Sequence, residues 1–474
     1  MRVAMLLHKS VEFDSRVRRE ASALAQAGHE VTVLELAAVP AQARTMDGFA
    51  RRSVLPRAWL RRRLPFNLYR AAFLWCFVAE IRRVRPDVVH AHDAAMLLPG
   101  MLGARLTQAL LVYDSHELAT SVPYRERLWA MFVGGIERLV VPRCAAVITV
   151  SEGIAQRLRE RYRLPRTPCV VRNVSALTPN GRGGLRAQLG LGGSAASAPL
   201  VLHQGAPAPA RGCEVLIEAL KRLPDVQLAF LGDPEPGYGA GLRSFITAQG
   251  MDRRVTLLPS VPLEDLLAHT AEADVGVTLL QDTCLNHRLA LPNKLFEYIA
   301  AGVPVVAAAL PETRRLVETY GVGWCAPPAD PVAVAQALKA ALDGRSDPGL
   351  RKRLARAAEE LCWEREQLRL LALYEWLSGS GAHEHETVSA QKRYPREPSV
   401  IAPGVPGQRR QESDRAHPEL SAQPTAQVAQ PDQTRIGVGT PHARLPDRHS
   451  TTGSQHTPHL TQGPPDILTP SHRG

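Results

Sequence analysis

MRVAMLLHKSVEFDSRVRREASALAQAGHEVTVLEL (residues 1–36) decides the fold. Residues 3–7 are a short apolar run of strand length. Residues 16–27 then carry Val17, Ala21, Leu24 and Ala25 at helical spacing, with the charged residues expected on the opposite face. Gly28 closes that helix, because a residue without Cβ accepts the left-handed backbone of a helix end. Residues 29–34 begin a second strand. Strand, helix, strand in this order implies parallel pairing through a right-handed crossover. The same grammar returns at 87–90, 110–113 and 146–150, each followed by a helical stretch.

The composition shifts at 173–199, which is rich in Gly, Ser, Ala and Pro and reads as a linker leading into a second domain. Alternation then restarts, with strands expected at 200–204, 226–231, 255–258, 275–279 and 303–308 and helices at 213–222 and 294–301. Residues 350–377 read as one amphipathic helical run. The expected organisation is a Rossmann-like domain over 1–172, the linker, a second over 200–360, and a closing helix over 361–379. Residues 380–474, rich in Pro and His and poor in large apolar side chains, are expected to be disordered. The fold class is α/β with two doubly wound domains.

Composition supports this. A chain of 474 residues suits about two domains of ~150–200 residues. Aromatics are only 5%, and small and branched side chains supply the layers between helices and sheets. Seven scattered cysteines show neither a disulfide framework nor metal-ligand spacing. No signal peptide and no spanning helix are expected, which points to the cytoplasm. The formal charge is +11, and because Lys/Arg and Asp/Glu nearly balance after residue 380, the excess belongs to the first 380 residues. Arg51, Arg52, Arg57, Arg61, Arg62, Arg63 and Arg70 fall close together with no acidic neighbour in sequence. They are either a solvated face or a patch for an anionic surface, and apolar Leu55, Trp59, Leu60, Leu64, Phe66 and Leu68 between them favour a membrane over nucleic acid.

In open parallel sheets ligands bind beyond the carboxyl ends of the strands. Three segments of the second half stand there. GAPAPARG (205–212) offers Gly205 and Gly212 for close backbone approach and Arg211 at a helix start, a combination suited to a diphosphate. LGDPEPGYGAG (231–241) offers Gly232 as the floor of a nucleotide pocket, or a plain turn. LPNKLFEYIAAGVPVV (291–306) has Asn293 as the expected N-cap and Lys294 and Glu297 one turn apart. An anion at this helix start would meet free amides, the helix dipole and Lys294, and Glu297 could accept from ribose hydroxyls. By spacing alone, an ordinary i,i+3 ion pair explains the last two equally well.

FDSRVRREASALAQAGHEV near the start, DVVHAHD (87–93), VYDSHEL (112–118), ITVSEG (148–153), VVRNV (170–174), the GAPAPARG loop and LPNKLFEYIAAGVPVV occur in an order and spacing that resemble the retaining GT-B glycosyltransferases (group 1, family 4). The resemblance covers most of the first 380 residues. It implies two Rossmann-like domains facing a cleft, with donor held by the second, acceptor by the first, and a last helix crossing back to the first. It implies transfer of a hexose-type sugar, with retention, from a UDP- or GDP-sugar to a glycan or lipid-linked acceptor. The nucleotide sugar is a substrate; no cofactor and no metal are expected. Carried over by position, Glu297 binds the donor ribose and Arg211 replaces the usual lysine on the diphosphate beside Lys294. His92 falls at the position that contacts the transferred sugar. Asp93 and His116 line the acceptor side, or else cap a helix and a loop.

Three positions depart from the pattern. A glutamate often found eight residues before the position of Glu297, with seven residues between, falls at Leu289, the arginine after the loop glycine is Ala206, and HKSVEFDS (8–15) replaces a glycine-rich loop. Asn286, His287 and Arg288 are the substitutes at hand for sugar contacts. Two other readings share the architecture: a sugar-nucleotide epimerase, and a nucleotide-sugar-binding scaffold with weakened catalysis.

Overall fold

The computed structural model describes residues 1–36, 44–54, 66–121, 127–176, 181–191 and 198–380. Arg57, Arg61, Arg62, Arg63 and the segment 381–474 lie outside them, so the expectations placed on those residues are not addressed by it.

Two sheets organise the chain. The first contains β1 (Arg2–Leu7), β2 (Glu30–Glu35), β3 (Arg44–Met46), β4 (Phe49–Ser53), β5 (Val88–His92), β6 (Leu110–Ser115), β7 (Ala146–Thr149) and β8 (Cys169–Val170), in the order β3-β4-β2-β1-β5-β6-β7-β8. Only the β3–β4 pair is antiparallel. The second contains β9 (Leu200–Gln204), β10 (Gln227–Leu231), β11 (Val255–Leu258), β12 (Val275–Thr278), β13 (Val305–Ala308) and β14 (Gly323–Ala326), all parallel, in the order β11-β10-β9-β12-β13-β14. β1 and β9 are buried along nearly their whole length, as strands covered on both faces must be. In each sheet the order reverses beside the first strand, between β1 and β5 and between β9 and β12. Those two switch points are where an open α/β sheet leaves a crevice for ligand.

The helix Ser15–Gln26 begins where Asp14 accepts from the Val17 N–H and ends at Gly28, whose φ of 86° fits the closure expected of it. It differs from the expected polar-outside pattern in one respect. Arg16 and Glu20 are as buried as Val17 and Ala21, because they sit one position before those residues and turn toward the strand ends. Residues 350–377 are likewise not one helix: Pro348–Glu360 and Trp363–Ser380 are separated by Leu361 and Cys362, with Asp347 and Pro348 starting the first. The last helix is tied to the first sheet. Glu366 accepts from the Arg172 N–H and guanidinium at 2.9 and 2.8 Å, and the Tyr374 hydroxyl meets His90 Nδ1 at 2.9 Å. The segment 173–199 also holds a short helix, Leu185–Gln188, anchored by Glu272, which accepts from the Gly184 and Arg186 N–H groups.

One tyrosine ties the second sheet to its site helix. The Tyr298 ring, on helix Asn293–Ala300, lies so close to Gly276 of β12 that a Cβ there would fall 2.3 Å from it. Its hydroxyl accepts from the Gln204 N–H at 2.8 Å and faces the Leu202 and Val277 carbonyls at 3.0 and 3.1 Å. Tyr298→Phe is therefore expected to cost about 1–3 kcal/mol, because it strands a buried N–H. Urea unfolding should show a lower midpoint at unchanged slope; an unchanged midpoint would mean that water replaces the hydroxyl.

Candidate active site

The carboxyl end of β9 leads straight into Gly205, whose φ of 85° and absent side chain let Lys294 lie against its backbone. A Cβ there would fall 2.6 Å from Lys294 Cε and 2.9 Å from its Nζ. Gly232, at the end of β10, allows the neighbouring loop the same approach: its Cβ would sit 2.7 Å from the Gly205 carbonyl carbon. The two glycines thus let two strand ends and one lysine share a small space. Gly212 has a different reason. It is the N-cap of helix Cys213–Leu220 at φ 73°, packed on the Leu279 carbonyl rather than on a ligand space.

Lys294 and Glu297 share a helix face, but they do not form the surface ion pair that their spacing allows. Both are largely buried, and Glu297 accepts from Gln204 Nε2 at 2.5 Å. Burial and the nearby Arg211 charge bring the Lys294 ammonium down to about 8, against the pull of Glu297. Burial also raises Glu297, opposed by Lys294 and Arg19. His203 on β9 is held neutral, at about 3, by burial and by the same Lys294 and Arg211 charges. Two cations thus face one small space, an arrangement built to receive an anion. Asn293 is not the N-cap: Pro292 holds that place without a side-chain bond, which leaves Asn293 exposed as the first helical residue.

On the first sheet, β5 and β6 end in a polar cluster. Arg16 donates through Nε and Nη2 to the two oxygens of Asp114 at 2.9 and 3.0 Å, and through Nη1 to the Val171 carbonyl at 2.7 Å. Glu20 Oε1 lies 3.0 Å from the same Nε, without hydrogen-bond alignment. His116 Nε2 and His92 Nδ1 converge on Asp114 Oδ2 at 3.0 and 3.3 Å, and His116 Nδ1 lies 3.5 Å from Asp93. Burial disfavours charge on His116, but Asp93 and Asp114 outweigh it and push its pKa up to about 9. Arg16 chiefly holds Asp114 well below the usual carboxylate range despite burial. His116 is thus an imidazolium at neutral pH, clamped by two carboxylates.

A cavity of about 350 Å³ lies between the two halves. His116, Arg16 and Asn173 line it on one side, Arg211, His287 and Asn293 on the other. Of the residues expected to make the site, the cavity wall therefore includes His116, Arg211 and Asn293. Lys294, Glu297, Gly205 and Gly232 do not line it but form the strand-end layer beside Arg211, and Gly212 packs on the Leu279 carbonyl. His92 needs a correction. It is fully buried and stacked 4.3 Å from His90, and it does not line the cavity, whereas His116 does. Asp93 acts on His116 and caps the helix Ala94–Thr107 only with its backbone, at φ 63°. Leu289 is not an empty sugar contact: its side chain packs toward the first half and its carbonyl accepts from Ser151 Oγ at 2.6 Å. Asn286 accepts from the Leu118 N–H at 2.9 Å, and Arg288 is turned out to Asp282. His287 is the one substitute left facing the cavity without an interdomain task.

Sequence reading missed Arg16, Glu20, Asp114 and Asn173. The i,i+4 pair Arg16/Glu20 directly before two apolar positions was the available signal. Glu20, His90, His92 and Asp114 also bring one ligand atom each within 4.8 Å of one another. Arg16, however, already stands between the two carboxylates and supplies the positive charge that a metal would bring. The four are better understood as the support of His116.

The family model for Glycosyltransferase Family 4 matches residues 15–173, and that for Glycosyl transferases group 1 matches 198–344. D-inositol 3-phosphate glycosyltransferase of Geodermatophilus obscurus is 27% identical over 65% of this chain and 69% of its own. The protein of that name from Xylanimonas cellulosilytica is 29% identical over 61% and 71%. Among solved structures, sucrose-phosphate synthase from Thermosynechococcus elongatus aligns with TM-score 0.65 at 20% identity, covering 80% of this chain and all of that one. Anabaena HepE in complex with UDP aligns at 0.60 and 18%, covering 80% and 100%. With both halves matched in order and the two sheets wound alike, the chain belongs to the GT-B glycosyltransferases.

Proposed function

We propose that this glycosyltransferase moves a hexose from a UDP- or GDP-sugar to a hydroxyl of a glycan or lipid-linked acceptor, with retention and without a metal. The observation that carries the reading is the pair of cations, Arg211 and Lys294, set behind and beside the cavity opposite the His116 imidazolium. The donor diphosphate lies on Arg211, Lys294 and the amides that open helix Asn293–Ala300, and Glu297 accepts from the ribose hydroxyls. As the bond from the anomeric carbon to the diphosphate oxygen breaks, the charge developing on that oxygen falls to these groups. The same oxygen takes the acceptor's proton as the acceptor oxygen bonds to the anomeric carbon from the same face. His116, from the other wall, presents the positive charge of its clamped ring to the sugar, and His287 is a second contact. The relatives named for D-inositol 3-phosphate make a phosphorylated polyol the small acceptor to try first.

The Lys294 ammonium gives this reading a pH signature. Its pKa of about 8 in the free protein must rise when an anion arrives, so binding takes up a proton near pH 8 and weakens as pH climbs above it. Calorimetric titration of UDP and GDP in buffers of different ionisation enthalpy should show uptake of about half a proton at pH 8. Lys294→Met should abolish the uptake. Absence of binding by either nucleotide would overturn the donor assignment, and binding without uptake would remove Lys294 from it.

A further inference from the structure

The sequence left the arginines 51–70 open between a solvated face and a patch for an anionic surface, and two of them prove to be engaged within the protein. Arg51 is buried on β4, donating to Glu35 and Glu12, and Arg52 pairs with Glu80 at 3.2 Å. A different surface stands out. Of the twelve large apolar side chains exposed among the described residues, seven lie on two helices, Phe66–Val84 and Arg127–Val140. Scattered exposure of this kind needs no explanation, but clustering does. Helix Arg127–Val140 is apolar on both sides. Its inner face buries Val133 and Val140, together with Glu137, which accepts from the Tyr113 and Tyr162 hydroxyls at 3.0 and 2.7 Å. Its outer face presents Leu128, Trp129, Met131, Phe132 and Leu139, up to 74% exposed. The spacing of Leu128, Met131, Phe132 and Leu139 makes one stripe along the helix.

Helix Phe66–Val84 meets this helix through one side chain and carries two exposed apolar residues on another of its sides. Arg70 lies over the Phe132 ring at 4.6 Å, and Leu68 and Trp75, two turns apart, are both more than half exposed. The charges at the surface of these helices are mostly arginines: Arg70, Arg82, Arg83 and Arg138 are exposed. The acids are Glu137, which is buried, and Glu80, which is tied to Arg52 and Arg83. Trp, Phe, Leu and Met framed by arginine and short of free carboxylates match a bilayer boundary, where the rings enter the headgroup layer and the guanidinium groups meet phosphates. A second copy would need complementary acids, and this face supplies none for self-pairing.

We propose that the outer faces of helices Arg127–Val140 and Phe66–Val84 dock this protein on an anionic lipid bilayer. The surface is separate from the donor site and does not depend on the transferase reading. The test is flotation of the full chain with vesicles of phosphatidylglycerol mixed with phosphatidylcholine, against vesicles of phosphatidylcholine alone, at low and high salt. The expected result is binding to the anionic vesicles only, weakened by salt, and reduced roughly tenfold or more in a Met131→Glu, Phe132→Glu double variant. Arg138→Gln should weaken it by about fivefold. An unchanged urea unfolding midpoint in both variants reports intact folding. Equal flotation of variant and parent, or equal binding to phosphatidylcholine alone, overturns the proposal. So does a dimer in sedimentation velocity that the double variant dissociates, since the face would then belong to a second copy.

Discussion

Arg16→Ala is expected to destabilise the fold by about 3–5 kcal/mol, the cost of leaving buried carboxylates without their counter-charge. Arg16 is 2% exposed and holds both oxygens of Asp114, with Glu20 alongside and the Val171 carbonyl at its far end. Removing it leaves two carboxylates of zero exposure next to each other. Glu20, already raised by burial and by Asp114, would then take a proton to escape the repulsion. The measurement is the urea unfolding midpoint, taken for the single variant and for Arg16→Ala with Glu20→Gln. Glu20→Gln should recover part of the loss, because it removes one of the two stranded charges. If Arg16→Ala unfolds within about 1 kcal/mol of the parent, well short of the cost of breaking a buried pair, the network is solvated and the account of His116 support fails. Arg16→Lys should fall between, since an ammonium keeps the charge but loses the two-pronged contact to Asp114.

Arg211→Ala is expected to act on chemistry and leave the fold alone. Its guanidinium lines the cavity at the start of helix Cys213–Leu220, where it offsets charge on the leaving diphosphate in the proposed reaction. Loss of one such preorganised group costs about 100–1,000-fold in kcat/KM. Arg211→Lys should retain more, as a point charge without the bidentate geometry. The unfolding midpoint should hold or rise slightly, because Arg211 repels Lys294 in the free protein. Donor turnover within threefold of the parent would take Arg211 out of the site. A fall in activity together with a lowered midpoint would make it a structural residue instead.

Both results bear on what a single sequence can disclose. Strand–helix alternation, the closure at Gly28 and the restart at 200 were legible because each depends on neighbours a few residues apart. LPNKLFEYIAAGVPVV was legible as a helix with Lys294 and Glu297 on one face for the same reason, while its cap was read one residue late. The hairpin of β3 and β4 was not, since its arginines read as a solvated face or an anion-facing patch until Arg51 met Glu35, sixteen residues earlier in the chain. The break at Leu361 and Cys362 went unread because both residues are apolar and continue the pattern on either side.

The site divides along the same line. Arg211, Gly205 and Gly232 could be found from sequence because they sit at strand ends and carry a backbone requirement. Which histidine faces the cavity could not. His92 and His116 both follow strands, and only the packing of β5 against β6 puts one behind the other with Asp114 between them. Leu289 looked like a missing sugar contact, and the packing of the two halves turned it into an interdomain one. The sequence by itself determined the order of elements, the doubly wound architecture and the strand-end position of the segment proposed to hold the donor, since local spacing and backbone freedom set these. Tertiary structure alone decided which charges are buried, which histidine is presented and which apolar face is left outside. Those outcomes depend on distances between residues such as Arg16 and Asp114, 98 positions apart, that no local pattern encodes.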